Sequence, residues 1–99
     1  MGIQNWKLKC FSKHIEIEKI CIDVVPISRT VTCRLFVDGK KIKESTKFGF
    51  ILLNPLAAGE PIAAQIEGDD GTRHLIEVKF PQWPSCKVFV DGEFVFKGY

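Results

Sequence analysis

The chain has 99 residues, enough for one hydrophobic core and too few for two. Apolar residues make up 45% and charged residues 26%, a globular balance that excludes intrinsic disorder and fibrous repeats. Fourteen Lys and Arg against twelve Asp and Glu leave a net charge of +2, too even for bulk charge to indicate a nucleic-acid partner.

The charge is uneven along the chain, with ten basic against five acidic residues up to position 50 and four against seven beyond it. The longest apolar runs, such as residues 50–53, fall far short of the roughly 20 residues of a membrane helix, so no membrane partner is expected. Residues 1–7 lack the basic-then-apolar layout of a signal peptide, which gives the expectation of a cytoplasmic chain with reduced thiols. Cys10, Cys21, Cys33 and Cys86 contain no C-x-x-C pair and read as small buried hydrophobes, with no metal and no cofactor implied.

Taken in chain order, the pattern has period two almost throughout. Trp6, Leu8 and Cys10 alternate with polar residues as in a half-buried strand. Ile15 and Ile17 continue at odd positions, then Ile20, Ile22 and Val24 fall on even ones. That change of phase predicts a β-bulge near Lys19–Ile20, with Pro26 ending the strand. Residues 30–37 and 40–46 flank Asp38-Gly39, the signature of a type I′ hairpin. Phe48, Phe50 and Leu52 alternate up to Asn54-Pro55. Residues 56–67 leave strand and short helix both open, and the alternation of Ile62, Ala64 and Ile66 favours a hairpin of residues 62–67 with 73–80. Pro81 and Pro84 stiffen the loop around Trp83. A last hairpin turns at Asp91-Gly92.

Residues 33–40, CRLFVDGK, recur as residues 86–93, CKVFVDGE. Two such hairpins each need a partner to bury their apolar faces, and packing them face to face does so. The expected fold is therefore an all-β, small antiparallel β-sandwich or flattened barrel of about eight strands with a pseudo-duplicated Asp-Gly hairpin. It forms one domain over residues 1–99, with pseudo-repeat halves at about 14–46 and 73–98. The expected core comprises Trp6, Leu8, Ile15, Ile17, Ile22, Val31, Cys33, Leu35, Val37, Phe48, Phe50, Leu52, Ile66, Ile76, Val78, Cys86, Val88 and Val90.

No catalytic motif is present, and His74, heading the apolar face of Ile76, Val78 and Phe80, reads as a structural histidine rather than a base for Cys86. The expectation is a non-enzymatic interaction module, a homodimer or the receptor of a protein partner. Its binding surface would be an aromatic C-terminal edge strand with Phe94, Phe96 and Tyr99, with Trp83 as a second candidate. The alternative is nucleic-acid or polyanion binding through a basic strand face formed by Arg34, Lys40, Lys41, Lys43 and Lys87. The segment from Phe36 to Lys40, with its Val-Asp-Gly-Lys turn, resembles the opening hairpins of the β-sandwich Fas apoptosis inhibitory molecule family. That resemblance implies a β-sandwich and carries over no functional residue.

Overall fold

A computed structural model describes residues 2–24 and 27–99. The strands are β1 (Gly2–Cys10), β2 (Lys13–Val24), β3 (Ser28–Val37), β4 (Lys40–Phe50), β5 (Gly59–Glu67), β6 (Arg73–Phe80), β7 (Cys86–Val90) and β8 (Glu93–Gly98). They form two four-stranded antiparallel meanders, β1-β2-β3-β4 and β5-β6-β7-β8, whose inward side chains share one core. Each sheet buries one face, and stacking the two covers both. The ambiguous segment is strand from Gly59 onward, with Pro61 inside a register shift where its missing N–H breaks no ladder. The expected strand end at Pro26 lies outside the described residues.

The two similar hairpins also share geometry. Asp38 and Asp91 have φ of 50° and 51°, and Gly39 and Gly92 of 83° and 81°, the left-handed pair that a type I′ turn requires. Each aspartate carboxylate accepts a backbone N–H from the strand behind it, His14 in one sheet and Leu75 in the other, both at 2.9 Å. Each aspartate N–H returns to that same residue's carbonyl at 2.8 Å. Both hairpins carry a register shift, at Leu35/Phe36 and at Val88/Phe89. Positions on β2-β3-β4 therefore correspond to positions on β6-β7-β8: Ile15 to Ile76, Ile17 to Val78, and Cys33 to Cys86.

This correspondence makes one position conspicuous. The place that Phe80 fills in the second sheet is held by Lys19 in the first. The bulge expected at Lys19–Ile20 does not form, because β2 pairs without interruption to β1 on one side and β3 on the other. Bulges favour strands with a free edge, and here one would break two ladders at once. The odd phase therefore persists. Lys19 points into the core at 0% exposure, and Ile22, expected inside, faces out. Phe48, Phe50 and Leu52 are likewise exposed rather than buried. The shift at Leu35/Phe36 sets β4 so that Phe48 stands opposite Thr30 and Phe50 opposite Ser28, on the outer face. Ile62, Cys21, Ala57 and Phe80 complete the core instead.

The C-terminus closes the sandwich over Trp6. The indole N–H donates to the Tyr99 carbonyl at 3.3 Å, and a Cβ added to Gly98 would collide with the Trp6 ring. Gly98→Ala is therefore expected to cost about 1–3 kcal/mol, the usual penalty of overpacking, read as a lower urea midpoint with an unchanged slope.

Candidate functional site

Phe94, Phe96 and Tyr99, expected to form one surface, do not share a face, and Trp83, the second candidate, lies apart from them at one end of the core. The shift at Val88/Phe89 places Phe96 opposite Val88 and Phe94 opposite Phe89, so the two occupy opposite faces of β8. Phe96 is half-buried against the core. Phe94 lies outside, edge-on to Phe89 with ring centroids 5.7 Å apart. Tyr99 is exposed, with the Lys97 ammonium 4.8 Å from its ring centre. Trp83 is half-buried, its backbone N–H donating to the Leu56 carbonyl at 2.7 Å. Its ring lies 5.3 Å from Lys19 Nζ, beside the Phe80 ring at 5.8 Å. Trp83 thus closes one end of the core, and β8 is an edge strand whose inner side is committed to the fold.

Lys19 Nζ has no hydrogen-bond partner among the described residues. Burial pushes its pKa below the ordinary lysine value, and the nearby Cys33, Cys21 and Cys86 sulfurs partly oppose that shift. The two ring faces give the ammonium limited electrostatic relief. The cysteines are free, and burial pushes Cys33 and Cys86 up to about 12 each, so both are held as unreactive thiols. Cys86 also lies about 20 Å of strand length from His74, at the other end of the second sheet.

His74 holds three turns together. Its Nδ1 lies 2.6 Å from Asp91 Oδ2, its Nε2 2.9 Å from Thr72 Oγ1, and its ring stacks on Phe11 with centroids 4.4 Å apart. Thr72 Oγ1 also donates to Asp70 Oδ1 at 2.6 Å, so the hydroxyl is committed within its own turn. The line Asp91–His74–Thr72 has the order of a hydrolytic triad, yet the imidazole is covered by Phe11 and Gly68, and it serves as a clamp. Its carboxylates are acid-sensitive. The His74 hydrogen bond lowers the pKa of Asp91, and the Thr72 hydrogen bonds lower that of Asp70. Groups depressed in the folded state stabilise it above the unfolded carboxylate pKa of 3.8, and that contribution is lost as pH falls through their folded values. Melting temperature is expected to fall below about pH 4, and Asp91→Asn to flatten that fall.

Of the five basic residues of the polyanion expectation, Arg34, Lys40, Lys41 and Lys43 share the β3–β4 hairpin and Lys87 lies in the other sheet. Arg34 sits between two carboxylates on the outer face of the first sheet, 2.7 Å from Glu18 Oε1 and 2.6 Å from Glu44 Oε2. Lys41 shares Glu44 at 3.3 Å. Lys43 stands opposite Leu35 in the inward phase at the edge, and Lys87 belongs to the other sheet.

The outer face of the first sheet is divided sharply in two. One half is ionic, with the cross-strand row Glu18–Arg34–Glu44 and the pair Lys7–Glu16. The other carries no charged side chain among the described residues. Its rows read Ile3–Ile20–Thr32–Thr46, then Ile22–Thr30–Phe48, then Val24–Ser28–Phe50. Beyond Phe50 the chain turns through Ile51–Leu53, leaving Leu52 91% and Leu53 80% exposed. Ile27, Phe50, Ile51 and Leu52 line a hollow of about 250 Å³ at the margin. Sequence alternation marked Ile22, Phe48 and Phe50 as apolar positions but assigned them to the wrong face.

Comparison with family models, curated proteins and solved structures returns no match to this chain, so the resemblance of its Asp-Gly hairpin assigns no family.

Proposed function

We infer that the chain is a non-enzymatic interaction module whose docking surface is the uncharged half of the outer face of the first sheet, and that its occupant there is a second copy of the same chain. The observation that carries this reading is the run of Phe48, Phe50, Leu52 and Leu53, each more than half exposed, continuous with Ile22, Val24 and Ile27. Apolar patches of this kind on soluble domains mark interaction sites. Among the described residues the three rows carry no formal charge, so two copies related by a twofold axis meet there without like-charge contact.

The face spans three strands, four in its first row, about 4.8 Å apart over some five residues of about 3.3 Å each, roughly 400 Å² with the Leu52–Leu53 turn. A symmetric contact would bury about twice that, in the range of weak, reversible association with a Kd of roughly micromolar order. Sedimentation equilibrium over a dilution series is the test. A monomer–dimer equilibrium in that range is expected, and a strict monomer at the highest attainable concentration would overturn the self-docking reading.

A further inference from the structure

The correspondence between the two sheets exposes a second surface. On the outer face of the first sheet, three directly opposed residues form the row Glu18–Arg34–Glu44, a cation held between two carboxylates. The equivalent row of the second sheet is Lys79–Lys87–Lys97. The same three places thus carry three like charges. Directly opposed like charges destabilise a sheet, so this row is a cost to the isolated fold. Among the described residues none of the three lysines is in an ion pair. Glu77, one row away on β6 in the same phase, stands opposite Phe89.

The lysines are interleaved with rings. Phe89 follows Lys87 on the outer face, Phe94 stands beside it, and Tyr99 follows Lys97 in the same phase. Lys79 Nζ lies 5.0 Å from the Phe89 ring centre. Phe94 and Tyr99 are 52% and 74% exposed, which leaves ring surface open to a planar ligand.

We propose that the outer face of the second sheet binds single-stranded nucleic acid, with Lys79, Lys87 and Lys97 on the phosphates and Phe94 and Tyr99 stacking on bases. A row of cations with adjacent rings matches how sequence-tolerant single-strand binders work, through backbone neutralisation and base stacking. The rings separate this partner from anionic lipid or protein, for which charge alone suffices. Strand spacing places the three lysines along about 10 Å across the sheet, room for two to three phosphates. This surface lies on the opposite side of the sandwich from the apolar face, so it does not depend on self-association.

The test is fluorescence anisotropy of a labelled short oligothymidylate with the full chain at about 20 mM salt, followed by a salt titration. Binding is expected, with affinity falling as salt rises at a log–log slope of about −2, since each neutralised single-strand phosphate contributes about −0.7. Lys87→Glu is expected to abolish binding while raising the melting temperature, because it recreates the alternating charge row of the first sheet. That rise keeps loss of binding from being mistaken for loss of fold. Tyr99→Ala and Phe94→Ala are each expected to weaken binding roughly tenfold with the salt slope unchanged. No binding at low salt would overturn the proposal. Equal affinity for heparin, or for vesicles rich in anionic lipid, with no effect of the aromatic variants, would also overturn it, reducing the face to a generic polyanion surface.

Discussion

Replacing Lys19 by Met is expected to stabilise the protein by about 1–3 kcal/mol, the desolvation cost of a buried polar group left without a partner. Few single substitutions in a core act in this direction, since most enlarge or overfill it. Here the wild-type residue is the anomaly. Its aliphatic stem already lies in the inner row with Ile15, Ile17 and Cys21, and only the amine is misplaced. Met has nearly the same length and makes its own favourable contacts with the rings of Phe80 and Trp83. Urea unfolding of both proteins at about pH 7 measures the difference directly. A loss of stability in the variant would show that the ring faces outweigh desolvation of the ammonium.

The same pair gives a pH test with a definite sign. Burial lowers the Lys19 pKa from 10.5, so the unfolded chain binds that proton more readily than the folded one. The penalty is fully developed below the folded value and vanishes as pH rises to about 10.5, so the advantage of the Met variant shrinks over that interval. Both proteins lose stability above pH 9 for a different reason. The unfolded cysteines ionise from 9.0, whereas Cys33 and Cys86 stay protonated to about 12 in the fold. Lys19 lowers the pKa of both thiols in the fold, so its replacement also alters that loss, and the lysine contribution is read below about pH 9, before the cysteines of the unfolded chain ionise.

The strands, the all-β class and the Asp-Gly hairpins were legible because each rests on local chemistry: alternation, β-branched residues and the left-handed turn pair. Most of the core followed from the same alternation, Ile15, Ile17, Val31, Cys33, Leu35, Ile76, Val78 and Val88 among it. The errors share one cause. Alternation tells which residues share a face, but it is silent on which face is inside, and a register shift exchanges the two. The change of phase at Lys19–Ile20 predicts a bulge, but β2 is paired on both edges and cannot form one without breaking two ladders. At Phe48 and Phe50, and again at Phe94 and Phe96, real shifts occurred where no breaker residue announced them. Both functional surfaces proposed above depend on those registers. The lysine row needs strand pairing to bring together residues 18 positions apart in sequence, and only the pairing shows that its counterpart is neutralised.

Placing a carboxylate in the uncharged face should dissolve the dimer without harming the fold. Phe48 and Leu53 are 74% and 80% exposed, so Phe48→Glu and Leu53→Glu remove little buried surface from the monomer and leave its melting temperature nearly unchanged. In a twofold contact each substitution enters twice, and each introduced charge faces an apolar partner or its own copy. Such juxtapositions cost several kcal/mol, so association is expected to weaken at least a hundredfold, beyond detection by sedimentation at concentrations where the wild type is dimeric. Phe94→Glu on β8 supplies the contrast, since that strand lies in the other sheet and should leave the equilibrium unchanged. Salt gives an independent check. Sodium chloride should barely alter an uncharged interface, whereas sulfate should strengthen it by favouring apolar burial. If instead Phe94→Glu released monomers and Phe48→Glu did not, the contact would belong to the C-terminal edge strand, and the exposed apolar rows of the first sheet would need another occupant.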